Sequence, residues 1–192
     1  MKKLTLIFIL SISGMFSCGY GFSSLKNRWE AKGINTIEVP VFNNLTLESG
    51  AEVFFTNALR LYLTSRSGKL QFVRSNADAI IEGVVKSVTL SPAGVLLGTE
   101  QTQASGGVPS GRILAQTYLM TATIELKMVR VRDKKEMWRT ALTQSRSLNS
   151  GTFTDERRSS NMFIRESNKQ AALLELSDQM MKYAVDSLLE EF

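Results

Sequence analysis

The residues with the most specific chemistry are the four from Met15 to Cys18. They follow two lysines and the apolar run 4–12. A positively charged start, an apolar segment too short to cross a bilayer and a small residue before the cleavage point are the parts of a secretion signal. We predict that residues 1–17 are a lipoprotein signal peptide and that the Cys18 thiol accepts lipid. A conventional signal peptide, or a short membrane anchor with an incidental cysteine, is the alternative.

Lipid on Cys18 would determine where the protein resides. Each buried methylene group of an acyl chain contributes about 0.8 kcal/mol, so several chains attach the protein to one leaflet without spanning the bilayer. Gly19 occupies the position where an aspartate commonly signals retention in the inner membrane. We therefore predict a lipid-anchored protein on the periplasmic side of the outer membrane. Residues 18–33 are then a lipidated tether that becomes ordered near Trp29, and residues 34–192 are a single domain.

The composition removes several kinds of site. The chain of 192 residues has no histidine and one cysteine, which lipidation consumes. The commonest general base, the commonest metal ligand and disulfides are thereby excluded, and no catalytic motif is present. We predict no enzyme activity, no cofactor and no metal. Loss of the two signal lysines lowers the formal charge from +5 to +3, a mildly basic balance far from that of a nucleic-acid binder.

Hydrophobic periodicity predicts five strands and two helices in the order β-α-β-β-β-β-α. Pro40 should end the first strand or confine it to an edge, because proline cannot donate to a ladder. Ser49 and Glu52 have the spacing of a capping box, which predicts the start of a helix of about four turns. The strands are predicted over 34–42, 70–73, 78–90, 118–132 and 136–148, with a second helix from about residue 161 to the end.

This pattern predicts an α+β fold. We expect a two-layer sandwich in which a mixed, mostly antiparallel sheet of about four to five strands is backed by two helices. The methionine-rich stripe of the terminal helix should be core. The strand 78–90 is apolar on both faces, with Ile80, Val84 and Val88 on one face and Ala79, Ile81 and Val85 on the other.

The glycine-rich stretch Ser91 to Leu114 is predicted to be a long loop. Its five glycines and two prolines favour a flexible hairpin tip. The alternative is a segment that becomes ordered against a partner.

Positive charge is concentrated on the hairpin formed by the last two strands. Such charges commonly lie on solvated strand and turn faces. The alternative hypothesis is that they bind the phosphates of an anionic glycolipid, because arginine and lysine form charge-assisted hydrogen bonds with phosphate. A second basic group is Arg157, Arg158 and Arg165. The candidate phosphate-binding residues are Arg130, Arg132, Lys134, Lys135 and Arg139.

Several segments resemble one protein family when taken in order. Cys18-Gly19-Tyr20, followed by IEVPVFNN over 37–44, is similar to the opening of LptE-family lipopolysaccharide-assembly lipoproteins. The segment ADAIIEG over 77–83, a hairpin that ends near Trp138 and the terminal helix follow in the family's order. The chain departs from the family in its long glycine-rich loop and in RDKKE over 132–136.

The resemblance implies a lipoprotein that sits as a plug inside an LptD-like outer-membrane β-barrel. There it would aid assembly of the barrel and present lipopolysaccharide for insertion into the outer leaflet. The first strand also resembles those of CsgG-like and penicillin-binding-protein-activator lipoproteins, which would imply a regulator of a cell-wall enzyme. A periplasmic hydrolase is a third class, and it should contain a pocket with a polar cluster of perturbed pKa.

Overall fold

The computed structural model describes residues 29, 31–66, 70–97, 113–149 and 166–191. These residues form six strands and two helices, which confirms the predicted α+β class, and the element order adds one short strand to the prediction. The elements are β1 Thr36–Glu38, β2 Asn43–Asn44, α1 Ala51–Arg66, β3 Gln71–Phe72, β4 Ala79–Leu97, β5 Ile113–Arg130, β6 Glu136–Asn149 and α2 Glu166–Glu191.

The sheet is mixed, as predicted, and has the strand order β3-β1-β4-β5-β6, with β2 paired to β4. The strands β3, β1 and β4 are parallel, whereas β4, β5 and β6 form an antiparallel meander. Because α1 connects the parallel strands β1 and β3, these three elements form a crossover unit, which parallel pairing requires. The sheet has six strands rather than four to five, because the two residues of β2, which lie just beyond the first predicted strand, also pair with β4.

β1 ends at Glu38, just before Pro40, as expected of a strand that proline ends, but the predicted bounds 34–42 are too long at both ends. The chain leaves the sheet after Glu38 and returns at Asn43. Between them, the ring of Phe42 packs directly on Gly83 of β4, so closely that a Cβ added at Gly83 would lie 2.6 Å from three ring carbons. The backbone N–H of Phe42 also donates to Thr56 Oγ1 over 3.0 Å. These contacts join the interrupted strand to both β4 and α1.

The predicted helix α1 is present and has 16 residues, but the predicted capping box is wrong. The carbonyl of Gly50, a residue with φ of 88°, accepts the first helical hydrogen bonds from the N–H groups of Val53 and Phe54. The Glu52 carboxylate does not reach back to Ser49, because it accepts a 2.7 Å hydrogen bond from the side-chain amide of Asn44.

The predicted loop from Ser91 to Leu114 is partly wrong, because β4 extends to Leu97 and β5 begins at Ile113, which pairs with Leu97. The register shifts around Gly94 place Pro92 at an irregular part of β4, where a strand tolerates proline. Residues 98–112, which contain most of the glycine-rich stretch, lie outside the described residues.

The helices cover one face of the sheet, and their contact with it is the core. The predicted methionine-rich core face of α2 is confirmed, and alternate residues of β5 face the same core. On β4 the fully buried face is that of Ala79, Ile81 and Val85, while a bulge between Val85 and Ser87 returns Val88 to the core side. The buried core side chains of β5 and α2 include Met120, Ala122, Ile124, Leu126, Met128, Leu173, Leu176, Met180, Met181, Ala184 and Leu188.

The other face of the sheet is polar. Hydroxyl pairs link β5 to β6, with Oγ distances of 2.8 Å between Thr121 and Ser145 and 3.0 Å between Thr123 and Thr143. Lys127 on the same face pairs with Glu82 at 2.7 Å. Because the strands alternate between a buried and a solvated face, this polar face is open to solvent along its length.

Candidate functional site

The predicted basic site lies on the hairpin that joins β5 to β6. Its turn is confirmed and is fixed by two features. The N–H of Arg130 donates to the carbonyl of Lys135 over 2.9 Å, and Lys134 adopts a left-handed backbone with φ of 55°. The Asp133 carboxylate accepts hydrogen bonds from the Arg130 guanidinium and from the N–H of Lys135. The hydrogen bond from Arg130 is the main reason that the pKa of Asp133 falls to about 2.

Two of the five predicted phosphate-binding residues already bond to other groups of this protein. The Arg130 side chain is only 13% exposed, pairs with Asp133 and donates to the carbonyl of Lys32. Arg139 bonds to Glu136 and Glu125 at 2.8 Å. Both guanidinium groups have a raised pKa, chiefly because of the hydrogen bond to the neighbouring carboxylate. These arginines therefore stabilise the hairpin and have few donors left for a ligand.

The remaining three residues, Arg132, Lys134 and Lys135, form an exposed group that we call the basic tip. None of them makes an ion pair with any residue in the described part of the chain. The Arg132 guanidinium lies against Gly33, where the chain enters the domain, and Trp29 just before it is 2% exposed. Residues 18–28 of the predicted tether lie outside the described residues, and the basic tip lies beside Gly33.

Cys18, Arg157, Arg158 and Arg165 all lie outside the described residues.

A groove of about 540 Å³ is a feature that the sequence analysis missed. It lies where β1 and β3 end and is closed on one side by α1, with walls that include Glu38, Pro40, Arg60, Phe72 and Arg74. Arg60 and Arg74 are distant in sequence and occur among ordinary surface residues, so only the pairing of β1 with β3 brings them together. No sequence signal would have singled them out.

The described ranges contain no cluster of three or more potential metal-ligating side chains. Neither α1 nor α2 is apolar enough to cross a membrane.

Comparison with known proteins identifies the family. No curated protein matches the sequence at a significant level. Among solved structures, a neuraminyllactose-binding hemagglutinin homologue from Helicobacter pylori has a similar fold, with a TM-score of 0.51 and 10% identity over 80% of this chain and 85% of that one. A Xanthomonas campestris protein has a TM-score of 0.48 with 13% identity over 81% and 84%. The hypothetical protein CT253 from Chlamydia trachomatis has a TM-score of 0.47 with 13% identity over 81% and 96%.

The sequence itself gives the decisive match. Residues 34–188 fit the LptE family, which is described as lipopolysaccharide-assembly. The matched range runs from the residues just before β1 almost to the end of α2. The chain belongs to the LptE family of lipopolysaccharide-assembly proteins.

Proposed function

We propose that this protein is an outer-membrane lipoprotein, anchored through lipid on Cys18, that partners an LptD-like β-barrel as a plug. In this role it aids assembly of the barrel and insertion of lipopolysaccharide into the outer leaflet. The observation that carries the proposal is the family match over residues 34–188, which covers nearly the whole folded domain.

The surface of the domain supports the role of a plug. A protein inside a barrel contacts a water-filled, polar wall rather than lipid. The outer face of the sheet carries the hydroxyl pairs of β5 and β6 and ion pairs such as that between Lys127 and Glu82. Such a face can exchange hydrogen bonds with a polar wall without exposing core residues.

A role without catalysis is part of the proposal. Among the described residues, the carboxyl groups with a shifted pKa are Asp78, Glu125, Asp133 and Glu136, and hydrogen bonds with backbone N–H groups or with basic side chains lower the pKa of each. A general acid at neutral pH needs a raised pKa, which burial provides. These lowered pKa values support structural hydrogen bonds and ion pairs rather than acid–base chemistry.

The test of the partnership begins with the lipidated protein extracted from membranes. We expect affinity purification of the full chain to recover a large β-barrel of the outer membrane, and mass spectrometry to find acyl chains on Cys18. The matched control is Cys18→Ser, which keeps the domain but should release it from the membrane fraction. Recovery of a cell-wall synthase instead of a barrel, or an unmodified thiol on the wild-type protein, would refute the proposal.

We also propose that the basic tip binds phosphate groups of the glycolipid. The support is that Arg132, Lys134 and Lys135 are exposed and make no ion pair within the described part of the chain. Reversal of all three charges to glutamate should weaken binding of purified lipopolysaccharide at low salt. Among single substitutions, Lys134→Glu should weaken the binding of lipopolysaccharide more than Lys182→Glu does. Lys182 is an exposed lysine on α2 and serves as the control. Equal binding by the wild type and the triple variant would reject this role for the tip.

A further inference from the structure

We propose that the groove at the ends of β1 and β3 binds a phosphorylated sugar. The groove is distinct from the basic tip, and its volume of about 540 Å³ lies within the usual range for sites of small ligands, about 300–1,000 Å³. It is formed where two parallel strands reach their carboxyl ends beside their crossover helix. This is the position at which open sheets with parallel strands commonly bind ligands.

Arg60 is fixed in place before any ligand arrives. Its Nε and Nη2 atoms both donate to the carbonyl oxygen of Val39, over 3.1 and 2.5 Å. A guanidinium group has five N–H donors, so three remain available. No carboxylate in the described residues pairs with Arg60. Because its orientation is already set by Val39, an anion that binds there does not have to order a flexible side chain.

Arg74 supplies a second cation on the same groove. It follows β3, is exposed, and forms neither a hydrogen bond nor an ion pair with the described residues. Two guanidinium groups that face one groove without carboxylate partners are suited to a phosphate, whose oxygens accept paired N–H donors. The phosphate of the ligand is therefore assigned to Arg60 and Arg74.

The rest of the groove favours a sugar over a bare phosphate. Glu38 is half-buried on its wall and makes no ion pair within the described residues. Its carboxylate would repel a lone phosphate, but it can accept hydrogen bonds from hydroxyl groups. Phe72 is 36% exposed on the same wall, and the negative face of an aromatic ring attracts C–H groups such as those of a sugar ring.

The ligand could be the head group of a glycolipid or a free sugar phosphate, which share this chemistry. Assignment to the glycolipid rests on the proposed function, whereas affinity for a phosphorylated sugar does not. Binding to the groove is measured without the barrel partner. If the groove fails to bind the sugar phosphate, the barrel can still be recovered by affinity purification. If no barrel is recovered, the groove can still bind the sugar phosphate.

The test is calorimetric titration of the full-length protein in detergent with N-acetylglucosamine 1-phosphate, N-acetylglucosamine and inorganic phosphate. We expect the sugar phosphate to bind with a Kd at least roughly tenfold lower than either fragment. Arg74→Gln should raise that Kd about tenfold, because a hydrogen bond to a charged group is worth at least that factor. Arg74 has no described partner, so its replacement should leave folding intact, and Lys182→Gln is the control of equal charge.

Three results would overturn the proposal. These are no saturable binding of the sugar phosphate, equal binding of inorganic phosphate, and an unchanged Kd in Arg74→Gln with native circular dichroism. A final arm adds purified lipopolysaccharide to the complex. If intact lipopolysaccharide displaces the sugar phosphate and dephosphorylated lipopolysaccharide does not, the head group of the glycolipid is supported as the ligand. Binding that lipopolysaccharide does not displace supports a free sugar phosphate.

Discussion

The contact between Phe42 and Gly83 gives the sharpest test of the packing, because two effects of Gly83→Ala have opposite signs. Replacing glycine by alanine at a position without strain stabilises a protein by about 0.4–1 kcal/mol, since the unfolded chain loses freedom. Gly83 lies in a strand paired with Leu126 and has no left-handed backbone. If the space were open, Gly83→Ala would therefore raise the stability.

The space is filled, so we expect the opposite. The new Cβ would lie 2.6 Å from three carbons of the Phe42 ring, and ordinary contact begins at 3.4 Å. The ring would have to retreat by about 0.8 Å, yet Phe42 is 3% exposed and its N–H is held by Thr56. Overpacking of this kind costs about 1–3 kcal/mol. With the middle of each range, a cost of about 2 less a gain of about 0.7, Gly83→Ala should lower the free energy of unfolding by about 1.3 kcal/mol.

The measurement is urea unfolding of the purified protein in detergent, followed by tryptophan fluorescence. Phe42→Leu removes the ring, so Gly83→Ala should cost at least about 0.5 kcal/mol less in that background than in the wild type, as a double-mutant cycle would measure. Unchanged or increased stability of the single variant would refute the packing argument. So would a coupling of zero between the two positions.

Two further predictions concern a side chain with many hydrogen bonds and the turn of the hairpin. Asn44→Ala removes four hydrogen bonds that fix the segment before α1 and should lower stability by about 2 kcal/mol. Leu47→Ser in the same segment, where the side chain is fully exposed, should change it by less than about 0.5 kcal/mol. Because the pKa of Asp133 is lowered from 3.8 to about 2, its stabilising contribution is complete above about pH 4 and is lost as the pH falls towards 2. A carboxyl titration by NMR should show this midpoint, Arg130→Gln should return it towards 3.8, and a wild-type midpoint near 3.8 would contradict the assignment.

The sequence predicted those elements whose faces differ in polarity. Every second residue of β5 from Met120 to Met128 is buried, so its period of two is visible without knowledge of its neighbours. The helix stripe of Met180 and Ala184 is visible for the same reason. Val88 was more difficult, because the bulge after Val85 changes which face it occupies. A bulge depends on the pairing of two strands, and the sequence of one strand does not contain it.

The sequence could not predict which polar side chains would be free. Arg130 and Arg132 are alike in type and neighbouring in sequence, but the turn brings Asp133 onto Arg130 and leaves Arg132 exposed. Arg60 was not recognised because its partner is the backbone carbonyl of Val39. Every residue has a backbone carbonyl, so the sequence does not indicate which one an arginine will bind. Polar sites formed by the tertiary structure therefore need the pairing of the strands before they can be identified.

The groove and the basic tip lie close enough together for one large ligand to contact both. Arg132 lies against Gly33, and the groove begins at Glu38. Consecutive Cα atoms are about 3.8 Å apart, so five residues separate these points by at most about 19 Å. A large glycolipid could contact both groups of cations at once, and substitutions in either would then weaken its binding. A monosaccharide phosphate contacts fewer side chains at once than the glycolipid does, so a ligand of that size better separates an effect of Arg60 and Arg74 from an effect of the tip.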